Sequence, residues 1–119
     1  MNITISGKEY GVYFGMKFIR ELDKKYYIDE RGLRFGAGLE TVMINLFTGN
    51  PAALSDVLYM GTCAEKTRPM PSEVDDYVEI VAAEGKLDEL FDNVRAELKN
   101  SPMTAKKFAD MEEELKNAQ

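Results

Sequence analysis

The sequence predicts a mainly helical α+β fold: an N-terminal β-hairpin followed by five or six short helices in a single compact domain. Three observations lead there. Over residues 1–14, apolar and polar side chains alternate around a glycine. From Met16 onward the apolar residues recur instead at i, i+3 and i+4, the helical period. Glycines and the breaks GNP, RPMP and SP then punctuate the helical stretches. At 119 residues the chain suits one domain and can bury a core without a metal or disulfide staple.

In MNITISGKEYGVYF, a two-residue turn at Gly7-Lys8 suits a type II′ hairpin, whose first turn position needs φ > 0. That register pairs Ile5 with Tyr10, Ile3 with Val12 and Met1 with Phe14, all on one face. Asn2, Thr4, Ser6, Glu9, Gly11 and Tyr13 take the other. A two-stranded hairpin alone is marginal in water, so this one must pack on helices or on another copy of itself.

Gly15 ends the strand, and Met16, Ile19, Leu22 and Tyr26, with Phe18 beside them, form a helical stripe. DERGLRFGAG is expected to be a loop. In LETVMINLF, Leu39, Val42, Met43, Leu46 and Phe47 fit one helix face. Gly49 suits the position past the helix end, Asn50 an N-cap and Pro51 the first position of the next helix. That helix carries Leu54, Val57 and Leu58, with Gly61 a weak point at its far end. KTRPMP is a stiff connector. Ser72, with Asp75 three residues on, resembles a capping box ahead of Val74, Tyr77, Val78, Val81 and Ala82. Gly85 closes that helix, and Leu87, Leu90, Phe91, Val94 and Leu98 line the next.

Ser101-Pro102 opens the last segment, so the chain divides into a hairpin (1–14), a helical core (15–100) and a C-terminal helix (101–119). The stripe on that helix, Phe108, Met111 and Leu115, is thin. A terminal helix of this kind either frays or binds a partner, and the sequence favours neither. These three residues are the candidate partner contacts. Truncation before Pro102 is expected to leave a folded domain with weakened partner binding.

The net charge is −6 and unevenly spread: residues 73–100 hold 3 Lys+Arg against 9 Asp+Glu. An acidic chain repels phosphate backbones, which argues against nucleic acid. The acidic stretch is either a solvated helix face or a docking surface for a basic partner. No apolar run approaches the ~20 residues that span a bilayer, and MNITISGKEY lacks the basic and apolar regions of a signal peptide. A cytoplasmic protein without membrane contact is expected.

Constellations that carry chemistry are missing. The chain has no histidine, which removes Ser-His-Asp and Cys-His catalysis and the HExxH zinc site. Its one cysteine, Cys63, cannot pair within the chain and is expected to be a small buried or half-buried side chain. RGLRFGAG lacks the GK[ST] of a phosphate loop. The carboxylates occupy polar helix positions, and none fits a calcium loop. No catalytic, metal or cofactor residue is assigned, and an enzyme is not expected. Met43, Met60, Met103 and Met111 either fill core gaps or line an adaptable partner groove.

MNITISGKEYGVYFGMKFIRELDKKY, then GAGLETVMINLFTGNPAALSDVLYMGT, a PSEVDDYVE helix and DELFDNVRAELKNSP carry a resemblance over nearly the whole chain. It resembles the tail assembly chaperones of long-tailed phages and prophages of Gram-positive bacteria. The resemblance implies a protein encoded just before the tape measure protein and made during tail morphogenesis. It would bind the tape measure protein, recruit tail tube subunits, self-associate, and be absent from the mature virion. It would work in the cytoplasm of the infected or lysogenic host. The chain would look like the short product where a frameshift also makes a longer one. The resemblance brings no catalytic residue. The alternative is a small acidic cytoplasmic adaptor or inhibitor, for instance a nucleic-acid mimic. Against it, Val74, Tyr77, Val78, Val81, Leu87, Leu90 and Phe91 interrupt the acids at core spacing.

Overall fold

The first hairpin turns one residue earlier than expected. In the computed structural model, which describes residues 1–118, β1 (Asn2–Ile5) pairs antiparallel with β2 (Lys8–Gly11), Ile3 opposite Tyr10 and Ile5 opposite Lys8. The turn is Ser6-Gly7, at φ 51° and 77°. Two positive φ angles make a type I′ turn, whose twist matches the strands, instead of the type II′ turn at Gly7-Lys8. The pairing therefore slips by two residues relative to Ile5–Tyr10. Side chains alternate with period two, so this slip leaves every residue on its expected face. Ile3, Ile5, Tyr10, Val12 and Phe14 are all buried.

α1 (Met16–Lys25) follows. Its inner line is Phe18 and Leu22, both fully buried, while Met16 is exposed; the stripe is centred beside the expected one. Phe18 packs on Phe14 with ring centroids 4.7 Å apart. The expected loop after α1 is instead a second hairpin. β3 (Tyr27–Glu30) pairs with β4 (Leu33–Gly36) around Arg31-Gly32, at φ 51° and 79°. The geometry repeats that of Ser6-Gly7.

α2 (Gly38–Phe47) then crosses α1 closely, and Gly38 makes the crossing possible. A Cβ there would lie 2.4 Å from Leu22 Cβ and 2.6 Å from the Leu22 carbonyl carbon. The Gly38 N–H donates to Asp23 Oδ1 at 3.0 Å. Gly38→Ala is expected to lose about 2–3 kcal/mol, because backbone must move to admit the methyl. Urea unfolding checks this.

Asn50 caps α3 (Pro51–Gly61) as expected, its Oδ1 accepting the N–H groups of Ala52 (2.9 Å) and Ala53 (3.4 Å). A 3₁₀ turn (Thr62–Ala64) leads to the connector. Arg68 pins it: the guanidinium donates to Glu21 (2.7 and 3.0 Å) and to the Tyr59 carbonyl (3.0 Å). α4 (Pro71–Ala83) starts one residue before Ser72, with Met70 at the cap. Glu73, not Asp75, closes the first turn by accepting the Met70 N–H at 2.8 Å. Asp75 accepts the buried Ser55 hydroxyl instead. Ala82 is exposed.

α5 (Leu87–Asn100) buries Leu90, Phe91, Val94 and Leu98. α6 (Ala105–Asn117) packs on α2 and α5. Phe108 is buried, its ring 5.5 Å from that of Phe47. The buried Thr104 hydroxyl donates to the Leu98 carbonyl. The C-terminal segment is thus a wall of the core as far as Met111, with only Gln119 outside the described residues. Truncation before Pro102 would uncover that core, contrary to the expectation that the rest stays folded. One continuous cluster of buried side chains runs from Ile3 to Met111.

Tyr26, at the exit of α1, donates to Asp56 Oδ2 at 2.6 Å, beside Lys25 Nζ at 2.8 Å from the same oxygen. Burial, then the bond to Asp56 and its charge, push the phenol well above its ordinary 10.0. A raised pKa means that folding favours the neutral phenol. Its contribution is complete below pH 10 and is lost as pH climbs above that value. Tyr26→Phe should flatten this part of the alkaline stability loss, read by unfolding at pH 9 and above.

Candidate functional site

Two surfaces stand out. The first is the β3–β4 hairpin. Its register puts Ile28, Glu30, Leu33 and Phe35 on one face, and Tyr27, Asp29 and Arg34 on the other. The polar face satisfies itself: Arg34 lies 4.0 Å from the Tyr27 ring centroid and pairs with Asp29 at 3.3 Å. The apolar face is bare, with Ile28 54%, Leu33 61% and Phe35 51% exposed. This inverts the first hairpin, whose apolar face is buried. Burial therefore does not explain the apolar residues of β3–β4.

The second surface is a groove of about 510 Å³ along α4. Its floor holds Ile5, Tyr77, Ile80, Val81 and Leu90, and its rim holds Glu73, Asp76, Glu84 and Glu89 with one cation, Lys86. Burial, then the charge of Glu84, push the Tyr77 phenol up, so it stays neutral and serves as apolar surface with a hydroxyl tip.

The sequence-derived candidates lie elsewhere. Phe108 and Met111 are buried and Leu115 is half-buried, so the α6 stripe is covered by the chain itself. Met43, Met60 and Met111 are also buried and Met103 is exposed apart from them; the four do not form one groove. Cys63 is half-buried. Burial, then Glu21, raise its thiol, which leaves less of the nucleophilic thiolate. Ile28, Leu33 and Phe35 were missed; the signal was the alternation in YIDERGLRF around a glycine. Among the described residues, no group of three or more His, Cys, Asp or Glu side chains is placed to hold a metal. Likewise, no helix there is long and apolar enough to cross a membrane.

A small helical fold that leaves apolar side chains bare has the surface of a protein that contacts other proteins. Residues 2–113 match the family described as phage tail assembly chaperone protein, TAC, and the chain belongs to that family. No curated protein and no solved structure matches the chain significantly.

Proposed function

We propose that this chaperone acts on the tape measure protein of a long-tailed phage or prophage of a Gram-positive bacterium. It keeps that long helical protein soluble in the host cytoplasm, brings tail tube subunits to it, and is left out of the finished virion. Membership of the tail assembly chaperone family over residues 2–113 carries the reading. The acidic balance, −6 overall, supports solubility of a protein that exposes apolar surface.

Copies of the chain meet through β3–β4. A two-stranded ribbon has two open edges and is marginal when uncovered, and here one face presents Ile28, Leu33 and Phe35. A second hairpin laid against it satisfies both demands at once. Phe108, Met111 and Leu115 could contact a client only if α6 parted from α2 and α5, so in this reading they stay within the fold.

The test is co-expression of the tagged chain with the tape measure protein encoded beside it. Soluble client that co-purifies supports the function. Client that remains insoluble and unbound overturns it.

A further inference from the structure

We propose that the groove along α4 receives a basic amphipathic helix of about three turns, with one apolar stripe flanked by Lys or Arg. The inference rests on the chaperone reading and names the chemistry of the client segment.

α4 has two apolar faces. Val74 and Val78 point into the core. Tyr77, Ile80 and Val81 form a second face that opens into the groove, and Ile80 is 58% exposed. Glu73, Asp76 and Glu84 extend the same face at helical spacing. From Glu73 to Glu84 this face rises about 16 Å, three helical turns. Ile5 and Leu90 deepen the floor from the opposite wall. The groove is thus long enough for a short helix laid beside α4, and its volume of about 510 Å³ suits an inserted row of apolar side chains.

Charge selects the guest. Four carboxylates face one lysine around the floor. Among the described residues, Glu73, Asp76, Glu84 and Glu89 make no salt bridge, whereas Glu21, Asp56 and Glu40 are each paired elsewhere. Glu73 already accepts the Met70 N–H at the α4 N-terminus, while among the described residues Asp76, Glu84 and Glu89 have no cationic partner where apolar surface is also open. In helix-in-groove recognition the apolar stripe supplies most of the affinity. Opposite charges at the rim supply register and association rate. An acidic or phosphate-bearing guest meets repulsion at the same rim.

The test uses the full chain and two synthetic amphipathic helices with the same leucine stripe, one flanked by lysines and one by glutamates. Binding is read by fluorescence anisotropy, and the site by amide shifts in NMR. The Lys-flanked peptide should bind at least ~10-fold more tightly, a margin of about 1.4 kcal/mol. Its shifts should cluster in residues 4–6 and 73–93, and its affinity should fall with added salt. Glu84→Lys with Glu89→Lys alters exposed side chains and should reverse the preference without changing the circular dichroism spectrum. Ile80→Asp should abolish binding of both peptides. The proposal is overturned by equal binding of the two peptides, by no binding, or by shifts centred elsewhere. It is also overturned if the double variant changes the mass of the chain alone, which would make the groove a contact between copies. Failure of the wild-type chain to hold the tape measure protein sinks the chaperone reading whatever the peptides do. Client retained by the double variant as by wild type sinks the groove alone.

Discussion

Phe108→Ala should cost about 3–5 kcal/mol and lower the thermal midpoint by roughly 10–20 °C. The side chain is 2% exposed and lies against Phe47, between α6 and the core built by α2 and α5. Truncation removes its apolar contacts and leaves a cavity that α6 can close only by shifting on both helices. Leu115→Ala, at a half-buried position two turns further along, should cost about 1 kcal/mol or less. Thermal and urea unfolding of the two variants separate a helix that belongs to the fold from a free docking arm. An arm would lose client binding at both positions with little change in stability. A Phe108→Ala chain within about 0.5 kcal/mol of wild type would remove α6 from the core.

The triple variant Ile28→Ser, Leu33→Ser and Phe35→Ser should behave in the opposite way. None of the three side chains belongs to the buried cluster. Helical circular dichroism and the thermal midpoint of the isolated fold should therefore hold. Association between copies should fail, and light scattering should report one chain, 13.4 kDa. Ile3→Ser in the first hairpin is the control, since Ile3 is 1% exposed and its loss should destabilise the chain directly. An oligomer unchanged by the triple variant would place the contact between copies on another surface.

The contrast between the hairpins shows what was legible in the sequence. The GNP break was readable because its causes are local: Asn50 caps, and Pro51 has no N–H to lose. The stripes of α2 and α5 were readable because each buries one continuous face. The register of the first hairpin was not. Turns at Ser6-Gly7 and at Gly7-Lys8 both put glycine at a positive φ, and both leave Ile3, Ile5, Tyr10 and Val12 on one face. The hydrophobic pattern cannot separate two registers that differ by two residues.

β3–β4 was hidden for a different reason. Asp29, Glu30, Arg31 and Gly32 at its tip look like a loop, and its apolar residues do not serve the core. Pattern reading takes apolar residues as a sign of burial, so a ribbon whose apolar residues stay exposed is read poorly. The groove was hidden by superposition. Val74 and Val78 face inward while Tyr77, Ile80 and Val81 face the groove, yet along the chain they merge into one wide stripe. The thin stripe of α6 misled in the other sense: Phe108 and Met111 are few, but both are buried against the rest of the chain.

Hydrogen exchange on the free chain and on the chain co-purified with its tape measure protein tests the account most directly. The account predicts protection over residues 27–36 in both samples, since copies would meet there with or without the client, and new protection over residues 73–93, where the client helix would lie. α6 should be protected already in the free chain and change little. New protection confined to α6, with 73–93 exchanging as in the free chain and 27–36 exchanging freely in both, would contradict it.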